Sequence, residues 1–298
     1  MKTIKYSASG KLLLFGEYLV LRNSKCLAIP LSFGQELEIH QGVEKGILIR
    51  SFELENCWLE IFFSKGLKII RSNDNEKARI IQNLFSLIKE KKPELFSKDI
   101  YLKFRLNFQR HLGLGSSSTL LSLLSQWSGF DPYYLLEKSF GGSGYDIAAA
   151  TSAGPFIYSA NNKMERHFVL PESITRHLLF IYLGKKQKSS KEVAAFKNKK
   201  TTGQQIDEMN RIVTKAARCH DIEEWEELMN ESEALLSLIL KEYPVKEKYF
   251  GDYPYSIKSL GAWGGDFIMA SCRNIDEAEN YFLQKQKHPI FTYGELIK

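Results

Sequence analysis

The chain has 298 residues, of which 44% are hydrophobic and 26% charged, so it can bury a sizeable core and lacks the composition of a disordered protein. Its formal charge of +6, from 41 Lys plus Arg against 35 Asp plus Glu, is mild; with no zinc-finger spacing and no Arg-rich arm, nucleic acid is not expected as a partner, whereas a small anionic substrate fits. Cys26, Cys57, Cys219 and Cys272 form no CxxC pair and the histidines no HExxH pattern, which argues against a disulfide framework or a transition-metal site and for a reducing cytoplasm.

Near the start, Lys2 and Lys5 precede the apolar stretch Leu12 to Phe15, but Gly16 and Glu17 interrupt it, so no signal peptide is expected. No apolar run reaches the roughly 18 residues a membrane span needs, and no membrane association is expected. Strands are predicted over 3–7, 11–21, 34–41, 46–53, 57–63 and 66–71, from β-branched and aromatic residues between Gly, Asn and Ser breaks. Residues 76–91 switch to helical period, with Ala78, Ile81, Leu84, Phe85 and Ile88 on one face, and Pro93 closes the helix. Residues 99–108 alternate cleanly, Ile100, Leu102, Phe104, Leu106 and Phe108 on one face, which predicts a strand. A helix over 118–127 and a short one after Asp131-Pro132 follow. Residues 155–160 and 177–183 read as buried strands, and the lysine-rich stretch 185–200 as a solvated loop with a short helix. Amphipathic helices are predicted over 203–219 and 222–241, the second striped by Trp225, Leu228, Met229, Leu235, Leu236 and Ile239; a strand over 265–271 and a helix over 275–286 complete the chain.

Three glycine-rich segments stand beside these elements. The first, His111-Leu-Gly-Leu-Gly-Ser-Ser-Ser-Thr119, lies between the alternating strand and a helix. Gly113 and Gly115 permit positive φ and close backbone approach, and the serines lie where a helix begins, with its unpaired N–H groups and the positive end of its dipole. That is an anion site suited to a triphosphate, with the Ser116 and Ser117 hydroxyls in reach of phosphate or magnesium; an ordinary strand-to-helix turn with a Ser cap is the alternative. It is not a Walker A loop, since no Gly-Lys-Ser/Thr ending is present. The others read Gly141-Gly-Ser-Gly-Tyr-Asp146 and Gly261-Ala-Trp-Gly-Gly-Asp266. Three such segments suggest backbone packed closely around one ligand.

With these residues in view, the chain resembles the GHMP kinase superfamily (galactokinase, homoserine kinase, mevalonate kinase, phosphomevalonate kinase). Ala8-Ser-Gly-Lys-Leu-Leu-Leu-Phe-Gly-Glu-Tyr18 resembles the opening block of the mevalonate and phosphomevalonate kinases, Gly113-Leu-Gly-Ser-Ser117 the ATP-phosphate loop, and Gly261–Asp266 the C-terminal glycine block. Gly142-Ser-Gly-Tyr-Asp-Ile-Ala-Ala-Ala150 resembles the stretch that holds the catalytic aspartate, in wording that marks a GYDIA-type subgroup. Four departures stand out: Ser9 replaces the usual proline, Gln109 lies where a proline starts the loop, His111 and Leu112 replace Gly and Ala, and Trp263 replaces a glycine.

The resemblance implies an α+β, two-lobed fold: an ATP-binding domain over 1–165 with a left-handed β-α-β unit, and a ferredoxin-like C-terminal domain over 166–298. It implies ATP and Mg2+ as cofactors and a small-molecule acceptor, mevalonate or phosphomevalonate-like. Alternatives are a sugar or amino-alcohol kinase, a decarboxylase of the same superfamily, or a nucleotide-binding protein without catalysis. Asp146 is then the base or a helix cap or both, and Lys11 the cation at the transferring phosphoryl. Gly113, Leu114, Gly115, Ser116, Ser117 and Ser118 hold the nucleotide, and Ser116, Ser117 and Glu137 are candidate magnesium ligands. Glu17, Gly261, Asp266 and Lys185 are candidates for the acceptor side. A cytoplasmic monomer or homodimer is expected.

Overall fold

The computed structural model describes residues 3–161, 163–184, 189–263 and 266–297. The chain divides into two compact, interleaved units: Met1–Gly10, Phe33–Arg110 and Leu114–Thr151 form the first, and Lys11–Ser32, His111–Gly113 and Ser152–Lys298 the second. Residue 165, the expected domain limit, lies within the last segment of the second unit.

Where apolar residues alternate, the first part of the chain extends into β1 (Ile4–Phe15), β2 (Cys26–Gln41), β3 (Ile47–Glu53), β4 (Asn56–Phe63), β5 (Ile69–Ser72) and β6 (Ile100–Leu106). In the first unit these run β5-β4-β3-β6-β2, with β3 and β6 parallel and the other neighbours antiparallel. The register sets Leu37 against Phe104 and Ile49 against both Leu102 and Ile61, so an apolar patch forms on one period-2 face. Four helices belong to this unit: α1 (Asn75–Lys91), α2 (Ser116–Ser128), α3 (Pro132–Glu137) and α4 (Tyr145–Thr151). The predicted stripe of α1 is buried as expected, together with Leu121 and Leu124 of α2 and Ile147 of α4. Asp74 starts α1 by accepting from Lys77 N at 3.0 Å.

The first two predicted strands form one, β1, and residues 19–22 are a 3-10 turn. β2 starts at Cys26, well before the expected position 34. Gly34, expected as the first residue of that strand, lies inside β2 at a close crossing: a Cβ there would lie 2.3 Å from the carbonyl oxygen of Ala8.

The second unit contains β7 (Phe156–Ser159), β8 (Lys163–His167), β9 (Leu178–Tyr182), β10 (Ile257–Leu260), β11 (Phe267–Ser271) and β12 (Ile290–Thr292). β7 pairs with the first part of β2 and with β8, while β10-β11-β9-β12 form an antiparallel sheet. Its helices are α5 (Glu172–Thr175), α6 (Ser189–Lys197), α7 (Gly203–Ala216), α8 (Ile222–Leu240), α9 (Val245–Tyr249), α10 (Ile275–Gln284) and α11 (Tyr293–Leu296). Leu179, Ile181, Ile257 and Ile268 of the sheet pack with Phe250, Ala278 and Phe282. Asp221 caps α8 and a Thr202–Gln205 capping box starts α7. The expected α+β class is found, and no helix among the described residues is long and apolar enough to cross a membrane.

Candidate functional site

The loop between β6 and α2 has its geometry from glycine. A 3-10 turn over Arg110–Leu112 leads into Gly113 at φ +73°, and Gly115, at φ +102°, is the residue that caps α2. Having no side chain, Gly115 provides no hydrogen bond to the first N–H groups of α2, which keeps that helix end available to an anion. Leu114 is fully buried and pins the loop. The three serines separate in role: Ser118 is buried with its hydroxyl donating to Gly115 O at 2.9 Å, Ser116 is half-buried and Ser117 exposed. Thr119, also buried, donates to Gln35 Oε1 at 2.8 Å and locks the first turn to β2.

Asp146 is the second residue of α4, which packs against α2 within the first unit. The N–H groups of Ile147 and Ala148 return to Gly144 O, and Asp146 Oδ1 accepts from Ile147 N at 3.1 Å. A carboxylate in the first turn of a helix is stabilised in its ionised form. The Tyr133 phenol lies within its field: burial pushes that phenol up, and Asp131 and then Asp146 add to the effect.

In the second unit, three segments distant in sequence meet at Gly113. Lys11 Nζ, half-buried on β1, donates to Gly113 O at 3.3 Å. The Asp266 carboxylate lies against the other side of the same residue, so that a Cβ at Gly113 would be 2.1 Å from Asp266 Oδ2. Tyr182 on β9 donates its hydroxyl to His111 O at 3.1 Å, and its phenol is pushed up first by burial and then by the Asp266 charge. His111 is exposed, its ring 5.5 Å from that of Tyr182. Residues of all three resemblance blocks thus touch one another here: Lys11 of the first, Gly113 of the second and Asp266 of the third.

The first and third blocks meet again at Tyr18. This residue has φ +60° and ψ −49°, and Leu19 N closes on Glu17 O at 2.6 Å, which is a γ-turn of the rare, strained hand. Its ring packs at 5.1 Å from Phe196 of α6, and its hydroxyl accepts from Trp263 N at 3.1 Å. Burial raises the Tyr18 phenol to about 12. Trp263 is 5% exposed, so the residue that replaces a glycine in the third block is packed into the second unit.

Glu17 is 1% exposed and forms an ion pair and hydrogen bond with Lys258, itself fully buried on β10. A candidate for acceptor contact in the sequence, Glu17 has its Oε1 committed to that ammonium, while its Oε2 is buried without a hydrogen bond. Lys258 also donates to Ser259 O at 3.0 Å and lies 5.3 Å from the centre of the Phe15 ring. Nearby, buried Glu233 of α8 accepts from Ser259 N at 3.1 Å and Ser259 Oγ at 3.2 Å. Glu17 is thus paired with the buried ammonium, while Glu233 lies within its field. Burial pushes both carboxyls up and the Lys258 charge opposes this in each, directly through the bonded pair at Glu17; Glu233 is raised to about 8 and so keeps its proton at neutral pH.

The folded chain therefore holds the Glu233 proton up to about pH 8, against an ordinary value of 4.5. The stabilisation is complete below pH 4.5 and is lost as pH rises through 8. The unfolding midpoint should fall by about 4–10 °C between about pH 6 and 9, and Glu233→Gln, which still pairs with Ser259, should flatten that slope. A wild-type slope no steeper than that of the variant would count against the buried proton. Sequence reasoning missed Lys258 and Glu233. A signal for Glu233 existed, because it lies four residues after Met229 and eight after Trp225, on the apolar stripe of α8.

Other candidates are placed differently. Glu137 ends α3 on the surface, paired with Lys138 at 2.8 Å. Gly261, at φ +70°, has open space where a Cβ would be. Lys185 lies outside the described residues. From the lysine-rich stretch, Lys197, Lys199 and Lys200 join Arg22 in lining an open recess of about 420 Å³. Among the described residues no group of three His, Cys, Asp or Glu is placed to hold a metal ion.

No family model matches the chain. No curated protein matches it by sequence. Solved structures do match over almost the whole length. Methanococcus jannaschii mevalonate kinase shares 18% identity, with 97% of this chain and 96% of that one covered and a TM-score of 0.71. Streptococcus pneumoniae phosphomevalonate kinase in complex with phosphomevalonate and AMPPNP shares 16%, covering 98% and 100%, at 0.68. Lactococcus lactis galactokinase complexed with galactose shares 12%, covering 98% and 92%, at 0.64. Two sheets, the helix-opening glycine loop between β6 and α2, and this likeness along nearly all of the chain together assign it the GHMP kinase fold.

Proposed function

We propose that the protein is an ATP-dependent phosphotransferase that moves the γ-phosphoryl group to the hydroxyl or phosphate of a small mevalonate-like or phosphomevalonate-like acceptor. The observation that carries this reading is the meeting of Lys11, Gly113 and Asp266 at the loop that opens α2. Such a loop offers backbone N–H groups to a polyphosphate, and a lysine at the Gly113 carbonyl brings a positive charge to the loop. The AMPPNP found in the phosphomevalonate kinase structure supports ATP as the nucleotide.

In this reading the N–H groups of Ser116, Ser117 and Ser118 grip the β- and γ-phosphates, with Gly113, Leu114 and Gly115 keeping the loop close to them. Lys11 bears on the transferring phosphoryl, where charge accumulates in the transition state. Asp146, at the head of α4, takes the proton of the acceptor hydroxyl. The hydroxyls of Ser116 and Ser117 make no hydrogen bond among the described residues, and an oxygen donor pair beside phosphates suits Mg2+, which keeps most of its waters. Magnesium, when bound, neutralises the phosphate charge. Glu137 is not included among its ligands, because its carboxylate is paired with Lys138 on the surface.

A phosphotransfer screen with ATP and mevalonate, phosphomevalonate, galactose and homoserine tests the proposal. Turnover is expected with a mevalonate-type acceptor. ATP bound tightly with no phosphate moved to any acceptor would instead favour a nucleotide-binding protein without catalysis.

A further inference from the structure

Lys258 belongs to none of the resemblance blocks, yet its place in the second unit ties the first and the third together. Strand β10 ends at Leu260 and runs straight into Gly261, the start of the third block. The Lys258 ammonium, two residues before that end, binds Glu17 of the first block. The next residue, Tyr18, accepts from Trp263 N, which leads back along the chain to Lys258. These links close a ring through Lys258, Glu17, Tyr18 and Trp263. A second set of contacts runs through Lys11, Gly113 and Asp266 and joins the same first and third blocks.

The ring holds something that does not hold itself. Tyr18 sits in a strained γ-turn, and such a turn persists only where its surroundings over-determine it. Here the surroundings are the Glu17–Lys258 pair on one side of the turn and the Tyr18 contacts with Trp263 and Phe196 on the other. An ammonium with no exposure is also costly to bury, and a well-packed apolar side chain would stabilise the core at least as well. Its geometry, rather than its stability, is then what the chain gains from it. We infer that Lys258 is a positioning residue for phosphoryl transfer, acting through Glu17 and Tyr18 to fix the third block and the Lys11 strand in one arrangement.

The inference rests on the phosphotransferase reading for its effect on rate, while its geometric half can be measured without turnover. Two variants define the test, Lys258→Met and Tyr18→Phe, with hydrogen exchange at the Trp263 amide and steady-state kinetics as readouts. Lys258→Met should accelerate exchange at that amide as Tyr18→Phe does, because both open the same ring. Each should lower kcat by about tenfold with ATP affinity kept within about threefold, since the helix-head N–H groups are untouched. The double variant should lose little more than either single one, the signature of residues acting as a unit. Unchanged Trp263 exchange in folded Lys258→Met would overturn the inference, as would multiplicative losses of about a hundredfold in the double variant. If Lys258→Met does not fold, Glu17→Gln takes its place, retaining an oxygen for the ammonium while removing the charge. A wild-type protein without turnover on any acceptor would sink the phosphotransferase reading, and Trp263 exchange would still decide the ring.

Discussion

An Asp146→Asn variant is expected to lose about 10²–10⁴-fold in kcat while binding ATP within a few-fold of wild type. The substitution keeps size and an oxygen that can accept from Ile147 N, as Asp146 Oδ1 does at 3.1 Å, so the start of α4 survives. In the proposed mechanism it removes the proton acceptor. The α4 contact with α2 and the glycine geometry of the loop that opens α2 are built from other residues. Titration calorimetry with ATP and single-turnover phosphate transfer separate binding from chemistry. Full turnover in the Asn variant would leave Asp146 as a helix cap and remove it from the mechanism.

Gly113→Ala is expected to weaken ATP binding by about tenfold or more, an energy of about 1.4 kcal/mol, and to cost about 1–3 kcal/mol of stability. Two causes add. The position has φ +73°, which a side chain rarely tolerates, and the new Cβ would fall 2.1 Å from Asp266 Oδ2. Either the loop or Asp266 has to move. Asp266→Ala alone should be far milder, and in the double variant part of the ATP affinity should return because the carboxylate is no longer in the way. Nucleotide titration and thermal unfolding of the three variants decide the matter; wild-type affinity in folded Gly113→Ala would refute the loop assignment.

Regular patterns were legible in the sequence. The alternation over 99–108 is β6, the stripe of α1 is buried residue for residue, and Asp131-Pro132 starts α3. The α+β class and the match with mevalonate and phosphomevalonate kinase structures agree with what the glycine blocks implied. The short, fully buried β7, β9 and β11 were legible as apolar runs, whereas β10 and β12, of four and three residues, were not predicted, because Ile257–Leu260 is interrupted by Lys258 and Ser259 and three residues show no period. Ile257-Lys258-Ser259-Leu260 is buried throughout, lysine included, and a lysine reads as surface unless its partner is known. That partner, Glu17, lies 241 residues away. The Tyr18 turn was hidden for a related reason: no local residue type calls for positive φ there, and long-range contacts impose it.

The interleaving of the two units bears on how the gene can be cut. The backbone passes from one unit to the other after residues 10, 32, 110, 113 and 151. A fragment made of 152–298 would lack 11–32, and with it the only carboxylate that forms an ion pair with Lys258 among the described residues. An apolar centre left with an ammonium and no counter-charge favours aggregation over folding. Fusion junctions, tags and permuted termini for this protein therefore belong at exposed turns away from those five junctions, and expression of either half alone should yield inclusion bodies.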